Sequence, residues 1–311
     1  MTPIEFMNKY RNMQLRLVDG RGIRVDVHQY RNAKGMWDDV PVTGDHKCTE
    51  GFQQAKPAIE RKIQYYGMKA GGSKYQLKKD KSEYIAIGSG AKGGIIDPFQ
   101  GQNILYNSGE LLQVFDGKGS PDQISRALTF AADLGVVSEM LKRSYPSTQA
   151  DVQRFADKYI GMDCNGFVGN YLKACGIGDL GPSSDVYKFA PAARRKKRLE
   201  DVRAGDVLVW MKTESSASHV AIIDSVLIEH RDNGQLKALE CIIVESCGSS
   251  RDTSSAQLKA DTDGLGDTVY VITKVADGLR PFNVKRGLGW QNNPHDYNSK
   301  SAGKVAIAST S

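Results

Sequence analysis

With 311 residues, 40% of them hydrophobic and 25% charged, the chain has the composition of globular proteins, and its length predicts two folded units. No apolar run approaches the roughly 18 residues that span a bilayer, and the charge spread through "MTPIEFMNKYRNMQLRLVDG" excludes the apolar core of a secretory signal. A formal charge of +6 suits an anionic partner without selecting one, while five cysteines at unpatterned spacings match neither a disulfide framework nor a paired zinc site.

In chain order, the first hundred or so residues alternate short runs, "LRLV", "IRVDVHQ", "EYIAI" and "LLQVF", with glycine-rich or polar turns. They predict a mostly-β module. A helix follows, with Ser120 as N-cap, Pro121 at its first position and Ile124, Leu128, Ala131, Ala132 and Val136 along one face, ending near Lys142. "SYPS" at 144–147 reads as a joint, because Pro146 disfavours helix before it and Ser147 or Thr148 can cap a new helix after it. Val152, Phe155, Ala156 and Tyr159 give that next helix one apolar stripe, and Phe167, Val168, Tyr171 and Leu172 give a stripe to another that starts at Cys164. Strands are expected at 206–210, 219–226, 240–246 and 268–275. The reading is therefore α+β with an antiparallel sheet: an N-terminal module over 1–145, a second domain over 146–280 and an irregular polar tail over 281–311.

The chemistry concentrates in the second domain. Asp163 is placed to cap the helix that opens at Cys164, and the partial positive charge of a helix start favours thiolate over thiol. His219 opens an apolar strand, where it can serve as the base, and Glu245 closes another, where it can orient the imidazole if the two strands pair antiparallel. Each residue alone has a plainer reading: a core thiol, a hydrogen-bonded core imidazole, an acid at a solvent-facing strand end. The combination outweighs them. Cys48, Cys175 and Cys241 read as packing residues, Cys247 has no activating context, and His28, His46, His230 and His295 read as surface residues. "GSGAKGG" at 88–94 lacks the ending of a phosphate loop, and "RRKKR" at 194–198 reads as a solvated loop without the aromatics that would stack nucleobases.

"YIGMDCNGFVGNYLKACGI", "VRAGDVLVW", "SHVAIID" and "IIVES", in that order, resemble the NlpC-type cysteine peptidases and, in the "GDVLVW" and "HVAII" segments, the related CHAP amidases. The resemblance spans about 130 residues, from 147 to roughly 276. It implies a papain-like fold and cleavage of amide bonds in peptidoglycan stem peptides, with Cys164 as nucleophile, His219 as general base and Glu245 as orienting group. It also implies that Tyr159 assists the oxyanion and that Asn165, standing where the family has serine, contributes a backbone N–H. No metal or cofactor is implied, and no nucleic acid partner or transmembrane segment.

The expected function is thus a cysteine amidohydrolase made in the cytoplasm without a signal peptide. An antibacterial effector delivered to a periplasm by a contact-dependent secretion machine, or a phage-associated lysin, fits this combination, and either has room for an inhibitor protein as partner. The alternatives are a cysteine deamidase or acyltransferase acting on a protein or lipid, and a non-catalytic papain-fold module that grips an anionic polymer. Thiol-alkylation kinetics separate the last, because a binding module carries an ordinary cysteine.

Overall fold

Helix α1 (Pro3–Arg11) leads the described part of the chain, which in this computed structural model comprises residues 1–30, 51–71, 84–87, 104–247, 264–286 and 303–310. Two compact units divide the chain: Met1–Asn8 with Met162–Ser311, and Lys9–Gly161.

In the Lys9–Gly161 unit, β1 (Met13–Arg16) and β2 (Gly22–Val25) form an antiparallel hairpin that pairs Leu15 with Ile23. A π-helical turn at Gly51–Ala55 runs into α2 (Lys56–Gly71), and β3 (Tyr84–Ile87) pairs antiparallel with β4 (Ile104–Asn107). Four helices follow: α3 (Ser108–Phe115), α4 (Pro121–Asp133), α5 (Val136–Leu141) and α6 (Gln149–Tyr159). Among the described residues this unit is mostly helical, which corrects the expected mostly-β module. The reason is visible in "LLQVF": Leu111, Val114 and Phe115 are all buried, and their i, i+3, i+4 spacing is a helix face.

Local signals set the remaining helix ends. Ser120 and Gln123 form a reciprocal capping box at the head of α4, and the expected single helix to Lys142 breaks after Leu134 because Gly135 turns left-handed at φ 73°. Thr148 and Asp151 form the same box for α6. The division between the units falls after Gly161 rather than at 145, because α6 belongs with the first-described strands. Its Gln153 amide both donates to the Asp26 carbonyl and accepts from the Asp26 N–H, each at 2.8 Å.

The other unit is built on α7 (Cys164–Ala174) and six strands: β5 (Val207–Thr213), β6 (Ser216–Asp232), β7 (Gln235–Cys247), β8 (Gly264–Lys274), β9 (Phe282–Arg286) and β10 (Gly303–Ala308). Every neighbouring pair is antiparallel, and the sheet closes as a barrel in the order β10-β5-β6-β7-β8-β9. The expected antiparallel sheet is present, but the segment 281–311 is not simply an irregular tail. Phe282, Val284, Val305 and Ile307 are buried in the barrel core, and β10 joins β9 to β5. Alternate residues of the long strands, among them Leu208, Ala221, Ile223, Leu239, Cys241 and Ile243, fill the interior. Their neighbours Val220, Ile222 and Val244 are buried as well, on strands against which α7 packs. From the start of the chain, Phe6 stacks 5.8 Å from both Phe167 and Tyr171 of α7, and the Asp224 carboxylate of β6 accepts from the Ile4 N–H at 3.0 Å. Among the described residues no helix is long and apolar enough to cross a membrane.

Candidate active site

Cys164 is the first residue of α7, buried, with its thiol free of any disulfide. Asp163 caps the helix as expected: its buried carboxylate accepts from the Gly166 N–H at 2.5 Å. The first intrahelical bond runs from the Phe167 N–H to the Asp163 carbonyl, so the N–H groups of Cys164 and Asn165 stand ahead of the ladder. The Asn165 side chain turns to the loop that follows the helix and donates to the Ser184 carbonyl at 2.8 Å. Its amide therefore anchors that loop, a role a serine at this position is too short to reproduce.

The head of α7 is also tied to the barrel. Ser246 of β7 donates to the Met162 carbonyl at 2.7 Å, which puts the residue after Glu245 in contact with the segment two residues before Cys164.

His219 and Glu245 meet as the strand order predicts. Ile222 faces Val244 across the β6–β7 ladder, so the two functional side chains lie diagonally on it, within reach of one another. His219 Nε2 is 2.6 Å from Glu245 Oε2, and both residues are at most 3% exposed. In the alternation of their strands they continue the inward rows of Ala221 and Ile223, and of Cys241 and Ile243. The apolar filling of the barrel thus ends in a polar layer at one mouth.

Two members of that layer were not expected from the sequence. Tyr270 of β8 donates its hydroxyl to Glu245 Oε1 at 2.7 Å. Trp210, the last residue of "DVLVW", sets its ring edge-on to the imidazole, with centroids 4.9 Å apart, and stands 6.3 Å from the Tyr270 ring. Gly303 of β10 makes room for it, since a Cβ there would come within 2.5 Å of Trp210 Nε1. An aromatic closing a strand beside the histidine strand was the signal available for Trp210; "TVYVITKV" is apolar on both faces and carries no signal that singles out Tyr270.

Tyr159 lies in the Lys9–Gly161 unit, buried, 4.9 Å from the Phe155 ring and under the Lys158 ammonium. Cys241 is fully buried in the barrel core, where burial, and secondarily the Glu240 carboxylate, push its thiol up to about 12. Cys175 is partly buried at the end of α7. Cys48, His46, His295 and "GSGAKGG", together with the Cys247 side chain, lie outside the described residues. His28 is half-buried, and hydrogen bonding to Asp26 raises its pKa. His230 departs more clearly from a surface residue: its Nε2 is 2.8 Å from the buried Glu240 carboxylate.

The basic run at 194–198 is knitted into the barrel. Arg195 forks onto Glu214 at 2.6 and 2.9 Å, Arg198 pairs with Asp201, and the Lys196 N–H donates to Ile307 of β10. Among the described residues no cluster of three or more His, Cys, Asp or Glu could hold a metal ion. Comparison of the chain with protein-family models, with curated proteins and with solved structures finds no match to any of the three.

Proposed function

We propose that the chain is a cysteine amidohydrolase with a papain-like catalytic unit of the NlpC/CHAP type, acting on amide bonds of peptidoglycan stem peptides. The observation that carries this reading is the buried His219–Glu245 pair on the same barrel end to which Ser246 ties the head of the Cys164 helix. Glu245 holds Nε2, so Nδ1 is the nitrogen left to serve the thiol. Nδ1 takes the proton of Cys164, and the thiolate attacks the scissile carbonyl carbon. The N–H groups of Cys164 and Asn165 receive the oxyanion, and the imidazolium returns its proton to the departing amine. Water, deprotonated by the same imidazole, then splits the thioester and restores the thiol. The substrate class rests on the sequence resemblance, and the oxyanion role it assigns to Tyr159 is not part of the proposal.

Purified muropeptides incubated with the protein should show stem-peptide fragments by mass spectrometry, and the Cys164→Ala variant should produce none. An intact substrate together with rapid alkylation of Cys164 would move the reading to deamidation or acyl transfer on a protein or lipid. Delivery as an antibacterial effector belongs to the same proposal. Fusion to a periplasmic export signal should then lyse a Gram-negative host in a Cys164-dependent way, whereas toxicity confined to the cytoplasmic form would remove the wall as substrate.

A further inference from the structure

Glu245 carries more than the imidazole. Its two carboxyl oxygens each have a separate partner: His219 Nε2 lies 2.6 Å from Oε2, and the Tyr270 hydroxyl donates to Oε1 at 2.7 Å. All three residues are at most 3% exposed, so water does not substitute freely for either bond. Tyr270 reaches this point from some distance. It pairs with Cys241 on the β7–β8 ladder, while Glu245 pairs with Gly266, and the phenol ring spans the gap along the barrel interior.

We propose that Tyr270 is a positioning residue that sets the tautomer of His219 through Glu245. The inference rests on the cysteine-hydrolase reading for its functional consequence. A neutral phenol has one proton, and against a carboxylate it can only donate. With Oε1 so occupied, Glu245 is held as an acceptor on both oxygens, because hydrogen bonds to the charged form favour that form. An acceptor at Oε2 requires N–H at Nε2, and the neutral imidazole then carries its lone pair on Nδ1, the nitrogen needed as base. Without the phenol the carboxyl can take a proton and donate it to Nε2. The imidazole hydrogen then moves to Nδ1 and the base is disabled. Trp210 keeps the ring plane in place, while Tyr270 acts, through Glu245, on which nitrogen bears the hydrogen.

The test reads the tautomer directly. In protein labelled with nitrogen-15 at histidine, in a Cys164→Ala background that removes the thiol, His219 should show a protonated Nε2 and an unprotonated Nδ1. Adding Tyr270→Phe should bring up the Nδ1–H form. Glu245→Gln, which leaves the barrel core ring in place, should do the same by offering an amide donor to Nε2. In protein that retains Cys164, Tyr270→Phe should slow alkylation by iodoacetamide at fixed neutral pH by about ten-fold. Combined with Glu245→Gln it should add little to that single change. Retention of Nε2–H in both variants, or additive effects of the two substitutions, would overturn the role of Tyr270. Alkylation of wild-type Cys164 at the rate of an ordinary thiol would overturn the hydrolase reading instead, and the His219 spectra would still decide the tautomer.

Discussion

The β6–β7 ladder carries two His–Glu pairs, alike in their Nε2–carboxylate contact and different in their surroundings. His219 and Glu245 sit 2.6 Å apart at one end, with Tyr270 on the second carboxyl oxygen, Trp210 against the imidazole and the head of α7 tied to the same strand end. His230 and Glu240 sit 2.8 Å apart toward the hairpin, where His230 lines a cavity of about 470 Å³ with Arg231, Asp232, Lys237, Thr273 and Lys274. Each pair has a cysteine beside it in the chain or on an element tied to its strand end. At the first it is Cys164, in the first turn of a capped helix. At the second it is Cys241, next to Glu240 in sequence, inside the barrel with its thiol up at about 12. A histidine beside a carboxylate is therefore one way of burying both, and here the catalytic candidate is the pair whose strand end is tied to the head of the Cys164 helix.

Substitutions can separate the two pairs, and the largest effect is expected at the thiol. Cys164→Ala should abolish amide cleavage and the fastest phase of iodoacetamide labelling near neutral pH, while the melting temperature stays near that of the wild type. His219→Ala should cost roughly 10²–10⁴-fold in turnover, as loss of a general base does. Glu245→Ala should cost less and leave measurable turnover, because orientation is lost while the proton acceptor remains. Steady-state kinetics on the same muropeptide would rank all three.

His230→Ala provides the contrast. Turnover should be unchanged, but Glu240 would be left buried without its imidazole, at a cost of about 1–3 kcal/mol in urea unfolding. A turnover loss matching that of His219→Ala would dissolve the distinction between the pairs. The smallest expected signal is at Cys241. Since its folded-state pKa is raised from 9.0 to about 12, the folded thiol stays protonated while the unfolded chain ionises, so its contribution to stability is intact below about 9 and is lost as pH rises from there to about 12. Alkylation followed by peptide mapping should find Cys241 unmodified in the folded protein at pH 8 and modified only after denaturation. Its labelling alongside Cys164 would mean the barrel opens far more readily than its packing indicates.

Much of the candidate site was legible in the chain because its signals are local. Asp163 before Cys164, Ser120 with Gln123 and Thr148 with Asp151 are caps whose partners lie three residues away, and the helices begin where these residues put them. Short apolar runs marked the β6 and β7 strands, and antiparallel pairing brought His219 to Glu245. Five-residue runs were less informative. "LLQVF" satisfied a strand reading until its buried face was seen to follow helical spacing.

What the sequence by itself determined was three helix starts, at Pro121, Gln149 and Cys164, the antiparallel character of the strand run and the identity of the three residues expected to act together. Only the tertiary structure decided that the sheet closes, that Tyr270 and Trp210 complete the polar layer, and that α6 belongs to the other unit. Closure depends on β10 finding β5, a pairing of Ile307 with Leu208, and on short strands whose hydrophobic signal is diluted by polar flanks. The hydroxyl on Glu245 depends on the length of a phenol crossing a barrel interior, a distance that no sequence spacing encodes.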